Sequence, residues 1–83
     1  MSFFVYLLIT KQKNKLISYV GYTSNLQKRL KLHNTSKGAK FTKGRKWKLA
    51  YSKSYKTKSA AMIEEIKLKK NYELRKRIKK NFN

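Results

Sequence analysis

The chain has no cysteine and no proline, three glycines, and three acidic residues among 83. Without cysteine, neither a disulfide framework nor a thiolate zinc site can hold a small fold together. Without proline, low-complexity stretches or internal repeats, nothing in the sequence marks a linker, and 83 residues suit one compact core. Long apolar runs are missing as well. The longest, Phe3 to Ile9, is far short of a bilayer span and lacks the basic start and small-residue cleavage site of a secretory leader. The expectation is a single soluble domain over residues 1–83, cytoplasmic and nucleoid-associated if bacterial.

Against the acids Glu64, Glu65 and Glu73 stand 23 Lys and Arg, for a net charge of +20. Such a field costs stability through self-repulsion and draws polyanions to the surface. A membrane-surface protein would show one long helix, basic on one side and apolar on the other. No such helix is written here, so nucleic acid is the expected partner and no membrane is expected. Six Tyr, four Phe and one Trp, in a chain 40% hydrophobic, supply enough apolar surface for a small core.

The pattern along the chain gives six elements. "FFVYLLI" (residues 3–9) reads as a buried strand and "LISYVGY" (16–22) as its antiparallel partner, with a polar turn between them in which Asn14 can take a positive φ. Thr23 or Ser24 is an N-cap for a helix that places Leu26 and Leu30 on one face and Arg29 and His33 on the next. Gly38 and Gly44 mark a basic loop. In "WKLAYSKSY" (47–55), alternation puts Trp47, Leu49, Tyr51, Lys53 and Tyr55 on one side of a third strand. Ser59 then caps a helix burying Ala61, Met62, Ile66 and Leu68. Leu74, Ile78 and Phe82, at i, i+4 and i+8, form the stripe of a last short helix. The order β-β-α-β-α-α describes an α+β layer fold.

Several residues could carry chemistry, each with an ordinary alternative. Arg29 and His33, one helical turn apart, make poor neighbours as two cations unless both face an anion. A histidine near a helix C-terminus is also favoured by the macrodipole alone. Glu64 and Glu65 point about 100° apart on a helix, so one can pair with Lys67 or Lys69 while the other faces a groove. A single carboxylate in a basic groove can hold Mg²⁺ weakly, leaving waters and phosphate to complete the shell. Tyr6, Tyr19 and Tyr22 fit strands, where tyrosines commonly pack with the hydroxyl at the rim.

Taken in order, these residues resemble a known family. Phe4-Val5-Tyr6 and Tyr19-Val20-Gly21 are similar to the two signature tripeptides of the GIY-YIG nuclease superfamily. The arginine within "GYTSNLQKRLKLHN" falls where that family places one. "SKGAKFTKGRKWKLAYS" and "AAMIEEIKLKK" look like segments of its small stand-alone branch, related to the catalytic domain of structure-selective junction endonucleases. The resemblance covers residues 3–72 and implies a three-stranded antiparallel sheet flanked by helices. Phe4 departs from the glycine of the first tripeptide, and Phe41 from a common tyrosine. Asn71 is a poor match to an asparagine that some members use late in the domain.

The resemblance implies an endonuclease that hydrolyses DNA phosphodiester bonds, RNA remaining open, with structure rather than sequence preference and a part in DNA repair. It implies that Tyr6 activates the attacking water and Tyr19 positions water or phosphate. Gly21 would let the backbone turn into the helix. Arg29 would contact the scissile phosphate, and His33 would assist on the nucleophile side. Glu65 would hold one divalent ion, Mg²⁺ or Mn²⁺. Lys28, Lys40, Thr42, Lys43 and Arg45 would touch nucleic acid. A tyrosine is a poor base at its ordinary pKa of about 10, so Arg29, Lys40 and the ion are expected to lower it. The expected assembly is a monomer or weak dimer, with a protein partner possible as the source of specificity. A non-catalytic basic nucleic-acid-binding module of the same fold is the alternative.

Overall fold

The computed structural model describes residues 2–35 and 46–82. Strands β1 (Phe3–Gln12) and β2 (Lys15–Thr23) precede helix α1 (Leu26–Asn34). Strand β3 (Lys48–Tyr55) and helices α2 (Lys58–Lys70) and α3 (Tyr72–Lys80) follow. The α+β order is the one expected. The three antiparallel strands lie in the order β2-β1-β3, so β1 is central. That position explains its unbroken apolar run, because a strand paired on both edges and covered on both faces buries every side chain. Residues Val5 to Thr10 are all buried.

The two faces of β1 serve different purposes. Val5, Leu7 and Ile9 join Val20, Ala61 and Leu68 in the larger core, where Leu74, Ile78 and Phe82 pack as well. Tyr6 and Leu8 point the other way. They pack with Trp47, Ile17, Tyr19, Leu26 and Leu30, so α1 covers this face.

Element boundaries differ from the pattern in instructive ways. The hairpin is longer than its apolar runs, with Gln12 paired to Lys15 and only Lys13 and Asn14 left in the turn. Both take positive φ, 49° and 66°, as a two-residue turn compatible with strand twist requires. Thr23 is still paired to Phe4, so α1 cannot begin there. Its cap is Asn25, whose side chain accepts from Lys28 N, while Thr23 Oγ1 accepts from Asn25 N. Thr57 rather than Ser59 caps α2, accepting from Ala60 N. Asn71 ends α2 and caps α3, accepting from Leu74 N. On α2, Ala61 and Leu68 are buried, but Met62 and Ile66 are 43% and 50% exposed, contrary to the pattern. A single helix over a narrow sheet buries one stripe, and these residues lie beyond it.

The largest departure is in β3. Leu8 pairs with Leu49 but Leu7 pairs with Tyr51, leaving Ala50 as the extra residue of a bulge. The alternation therefore reverses. Trp47 and Leu49 belong to the Tyr6 face, while Tyr51, Lys53 and Tyr55 belong to the other.

Trp47 is fixed by its backbone as well as its ring. Asn34, the last residue of α1, accepts from Trp47 N at 2.5 Å and donates through Nδ2 to Trp47 O at 3.0 Å. Thr10 Oγ1 donates to Lys46 O at 2.6 Å. Asn34 was expected only to end the helix. We expect Asn34→Ala to strand both main-chain groups of Trp47 and lower unfolding free energy by about 2 kcal/mol. Urea unfolding followed by Trp47 fluorescence would measure this, and an unchanged midpoint would contradict the role.

Candidate active site

The inward alternation of β1 aims Tyr6 at α1, and β2 lies beside it in register, with Gly21 directly opposite Tyr6. A Cβ on Gly21 would sit 2.5 Å from Tyr6 Oη and 2.7 Å from Tyr6 Cζ. The phenol therefore lies over the glycine. Gly21 is inside β2 and makes no turn into the helix, so the expected role is corrected: the missing side chain is space for the Tyr6 ring. Tyr6 is itself buried and gripped at its hydroxyl, which keeps the ring from yielding.

The packing of Leu26 and Leu30 onto the sheet orients α1 so that two residues of the next stripe meet that hydroxyl. Tyr6 Oη lies 2.9 Å from His33 Nε2, and Arg29 Nε donates to it at 3.4 Å. Tyr19 also acts on Arg29, helping to raise its pKa. The Tyr19 ring packs 5.1 Å from His33, and its edge contact with Trp47 is 6.3 Å between centroids. Tyr6, Tyr19, Arg29 and His33 are thus one cluster, assembled from β1, β2 and α1.

His33 differs from expectation in where it looks. It is fully buried behind Tyr6 and does not face an open groove. Only Arg29 and the exposed Lys28 line the surface groove at the start of α1, with Thr23, Ser24, Asn25 and Leu32. The supposed repulsion between Arg29 and His33 is resolved at the same time. Burial first, then the charge of Arg29, lowers the His33 pKa below its ordinary 6.5, so the ring is neutral at pH 7. Its Nε2 faces a phenol rather than an external anion.

At Tyr6, burial opposes the lowering by Arg29. Burial raises its pKa above the ordinary 10.0, outweighing the hydrogen bond and charge of Arg29, which act to lower it. The charges of Tyr19 and Glu65 add to the rise. At neutral pH Tyr6 is a phenol. Arg29 Nε can only donate, so Tyr6 Oη accepts from it and has its own hydrogen to direct at His33 Nε2.

Glu65 is on α2 and is close enough for its charge to act on Tyr6. Its side chain is 15% exposed, against 33% for Glu64. Both acids have a lysine: Glu64 pairs with Lys67 at 3.2 Å and Glu65 with Lys69 at 3.7 Å. Among the described residues no three His, Cys, Asp or Glu side chains gather as a metal cage. A lone carboxylate fits Mg²⁺, which keeps several waters and takes substrate phosphate as ligand. Lys40, Thr42, Lys43 and Arg45, with Phe41, lie outside the described residues. Asn71 is occupied as a helix cap, in keeping with its poor match. Sequence reasoning missed Asn34, which follows His33 directly and fixes Trp47 against Tyr19; no periodicity or motif marks it.

Two pKa shifts bound the pH range of stability. The His33 value is lowered by folding, so its contribution is present above 6.5 and is lost as pH falls toward the folded value. The Tyr6 value is raised, so its contribution is present below 10.0 and is lost as pH rises toward the folded value. We expect a falling denaturation midpoint below pH 6.5, with a slope of at most about 1.4 kcal/mol per pH unit. His33→Gln should flatten that limb between about pH 5 and 6.5, above the usual carboxylate range. A wild-type midpoint constant across that window would contradict the shift.

Comparison with known proteins gives the cluster a context. The GIY-YIG catalytic domain model matches residues 2–80. A UPF0213 protein of Oceanobacillus iheyensis is 43% identical over 80% of this chain and 74% of its own. One of Bacillus velezensis is 46% identical over 82% of this chain and 67% of its own. The solution NMR structure of a UPF0213 protein from Bacillus halodurans aligns with a TM-score of 0.50 and 27% identity, covering 100% of this chain and 88% of that one. Among the described residues, no helix is long and apolar enough to cross a membrane. The fold order, the two tyrosine-bearing strands and the family match over nearly the whole length lead to one statement: the chain belongs to the GIY-YIG catalytic domain family, alongside the small UPF0213 proteins.

Proposed function

We propose that the protein is a metal-dependent endonuclease that hydrolyses DNA phosphodiester bonds, reading backbone shape more than base sequence. The observation that carries this reading is the buried Tyr6 hydroxyl, shared between His33 Nε2 at 2.9 Å and Arg29 Nε at 3.4 Å. A neutral imidazole held against a phenol, with a guanidinium on the same oxygen, is an arrangement for moving a proton beside a phosphate. A surface that only binds polyanions needs no such buried relay.

In this reading Arg29, half-buried along the groove beside the exposed Lys28, takes the scissile phosphate and offsets charge that develops on it. Tyr19, whose influence also reaches Arg29, helps to hold it in place. A water next to Tyr6 gives its proton to Tyr6 Oη as the phenolic proton passes to His33 Nε2. The hydroxide oxygen bonds to phosphorus, and the bond to the leaving sugar oxygen breaks. His33 is the final acceptor because the raised Tyr6 pKa makes a free phenolate rare at neutral pH. Enzymes of this family generally depend on a divalent ion. Glu65 would hold it here, and Mg²⁺ or Mn²⁺ so held supplies positive charge for the leaving oxygen. Lys40, Thr42, Lys43 and Arg45 would extend the backbone contacts begun by Lys28, consistent with the net charge of +20.

Cleavage of duplex, flapped and branched DNA with Mg²⁺ or Mn²⁺ is the direct test. Arg29→Ala should reduce cleavage about 100-fold or more, the usual loss on removing one transition-state donor. Duplex affinity should fall only slightly, because 23 cations supply the field. An equal loss of binding would make Arg29 an anchor alone. Glu65→Ala should abolish metal-dependent cutting, and undiminished Mg²⁺-dependent cleavage by that variant would sink the metal assignment. Salt-sensitive binding with no product on any substrate would favour the non-catalytic module.

The relay also sets a pH profile. Cleavage needs neutral His33, so its acidic limb should fall below pH 6.5 and leave a plateau at neutral pH. A rate still climbing steeply between pH 8 and 10 would show that ionised Tyr6, rather than His33, is the working base.

A further inference from the structure

The inner stripe of α3, Leu74 and Ile78, packs into the larger core together with Phe82. Residues two apart on a helix point about 200° from each other, so Tyr72 lies on the opposite side from Leu74. At 62% exposed, Tyr72 is the most exposed large apolar side chain among the described residues. By the same spacing Lys76 and Lys79 share its outward face. Lys76 Nζ lies 6.0 Å from the centre of the Tyr72 ring, within range of a cation–π contact. The outer stripe of α3 therefore begins with a solvent-facing ring and continues with cations.

The backbone beneath the ring is also fixed. Tyr72 is the first residue of α3, and the cap from Asn71 Oδ1 to Leu74 N fixes the backbone on which it stands. Lys67, Lys69 and Lys70 form the last turn of α2 immediately before it, and Glu65 lies on that same helix. An exposed aromatic face with an ammonium group beside it, on a basic helix, matches the requirements of one ligand chemistry. It offers a π surface to a base and positive charge to the phosphates on either side. A duplex cannot use the π surface, because its base faces are covered by their neighbours and only edges and phosphates are presented.

We propose that Tyr72, with Lys76 beside it, is a stacking platform for one unpaired nucleobase of a single-stranded segment. The proposal rests on the nuclease reading and names the feature by which this chain would favour substrates with unpaired strands. The platform is sequence-tolerant, since every base has a π face.

Trp47 is the chain's only tryptophan and is 2% exposed, so Tyr72→Trp introduces a reporter at the surface against a buried background. This variant would be titrated, without divalent metal, with oligothymidylate, oligouridylate and a blunt DNA duplex, wild type serving as the control for Trp47. Saturable quenching by a single strand and none by the duplex is expected. Quenching by both single strands would assign the platform to DNA and RNA alike, and quenching by one would assign it to that nucleic acid. In parallel, Tyr72→Ala should weaken single-strand binding about 5- to 150-fold, the range for losing one base–aromatic stack. Duplex binding should change by less than about twofold, and Tyr72→Phe should bind as wild type does. Single-strand affinity unchanged in Tyr72→Ala, or equal quenching by the duplex, would overturn the platform while leaving the nuclease reading intact. Failure of wild type to bind any of the three would overturn both.

Discussion

Everything about the site depends on one buried oxygen. Tyr6 Oη has to meet His33 and Arg29 at once, and three separate features of the fold are needed to bring it there. β1 must be the central strand, or Tyr6 would not be enclosed. Residue 21 must lack a side chain, because the ring occupies that volume. α1 must start after the strand has finished pairing, so that Asn25 caps it and its second stripe faces the sheet. A group so enclosed is desolvated, and desolvation outweighs the nearby guanidinium in setting its pKa. The same enclosure keeps His33 neutral, so tyrosine and histidine hold complementary protonation states for passing a proton.

The charge of the molecule is organised around this dry cluster. Within it, Arg29 is the one fixed charge among the described residues that is hydrogen-bonded to Tyr6, and its histidine is uncharged at neutral pH. Among the described residues, every lysine but Lys79 is at an exposed position, on the helices, the strands or the turns between them. Two of the three acids are engaged by lysines on their own helix, and exposed pairs of that kind contribute little stability. Stability must come chiefly from the two apolar clusters on either side of β1, with polar links such as Asn34 to Trp47 holding them in place.

Much of this was legible in the chain. Continuous hydrophobicity over Phe3 to Ile9 identified the central strand, and the Leu74, Ile78 and Phe82 spacing identified the docked helix, because both follow from local periodicity. The β3 bulge was not legible. Ala50 looks like any small outward residue, and only its pairing with β1 reveals that two residues oppose one. Nor did spacing reveal that Met62 and Ile66 stay exposed, since that depends on how much sheet lies beneath α2. At the site, Tyr6, Tyr19, Arg29 and His33 were read as a group and do meet. The burial that opposes the charge of Arg29 at Tyr6 was not legible, because charge can be counted in a sequence whereas burial cannot. Gly21 was noted for the wrong reason: a glycine in a sequence suggests bending, while here it leaves room for a ring.

The bulge at Ala50 makes β3 serve both layers, giving Trp47 to one and Tyr51 and Tyr55 to the other. This has a bearing on how such a small gene can vary. A substitution at Ala50 changes one contact, and loss of that codon alone would leave the pairs Leu8–Leu49 and Leu7–Tyr51 as they are, but an in-frame loss at any other position of the strand would shift the register. Every side chain on one side of the gap would then be turned to the wrong layer. In this strand spacing is a stricter inheritance than residue identity, and descendants should differ there by exchange of letters far more readily than by gain or loss of one.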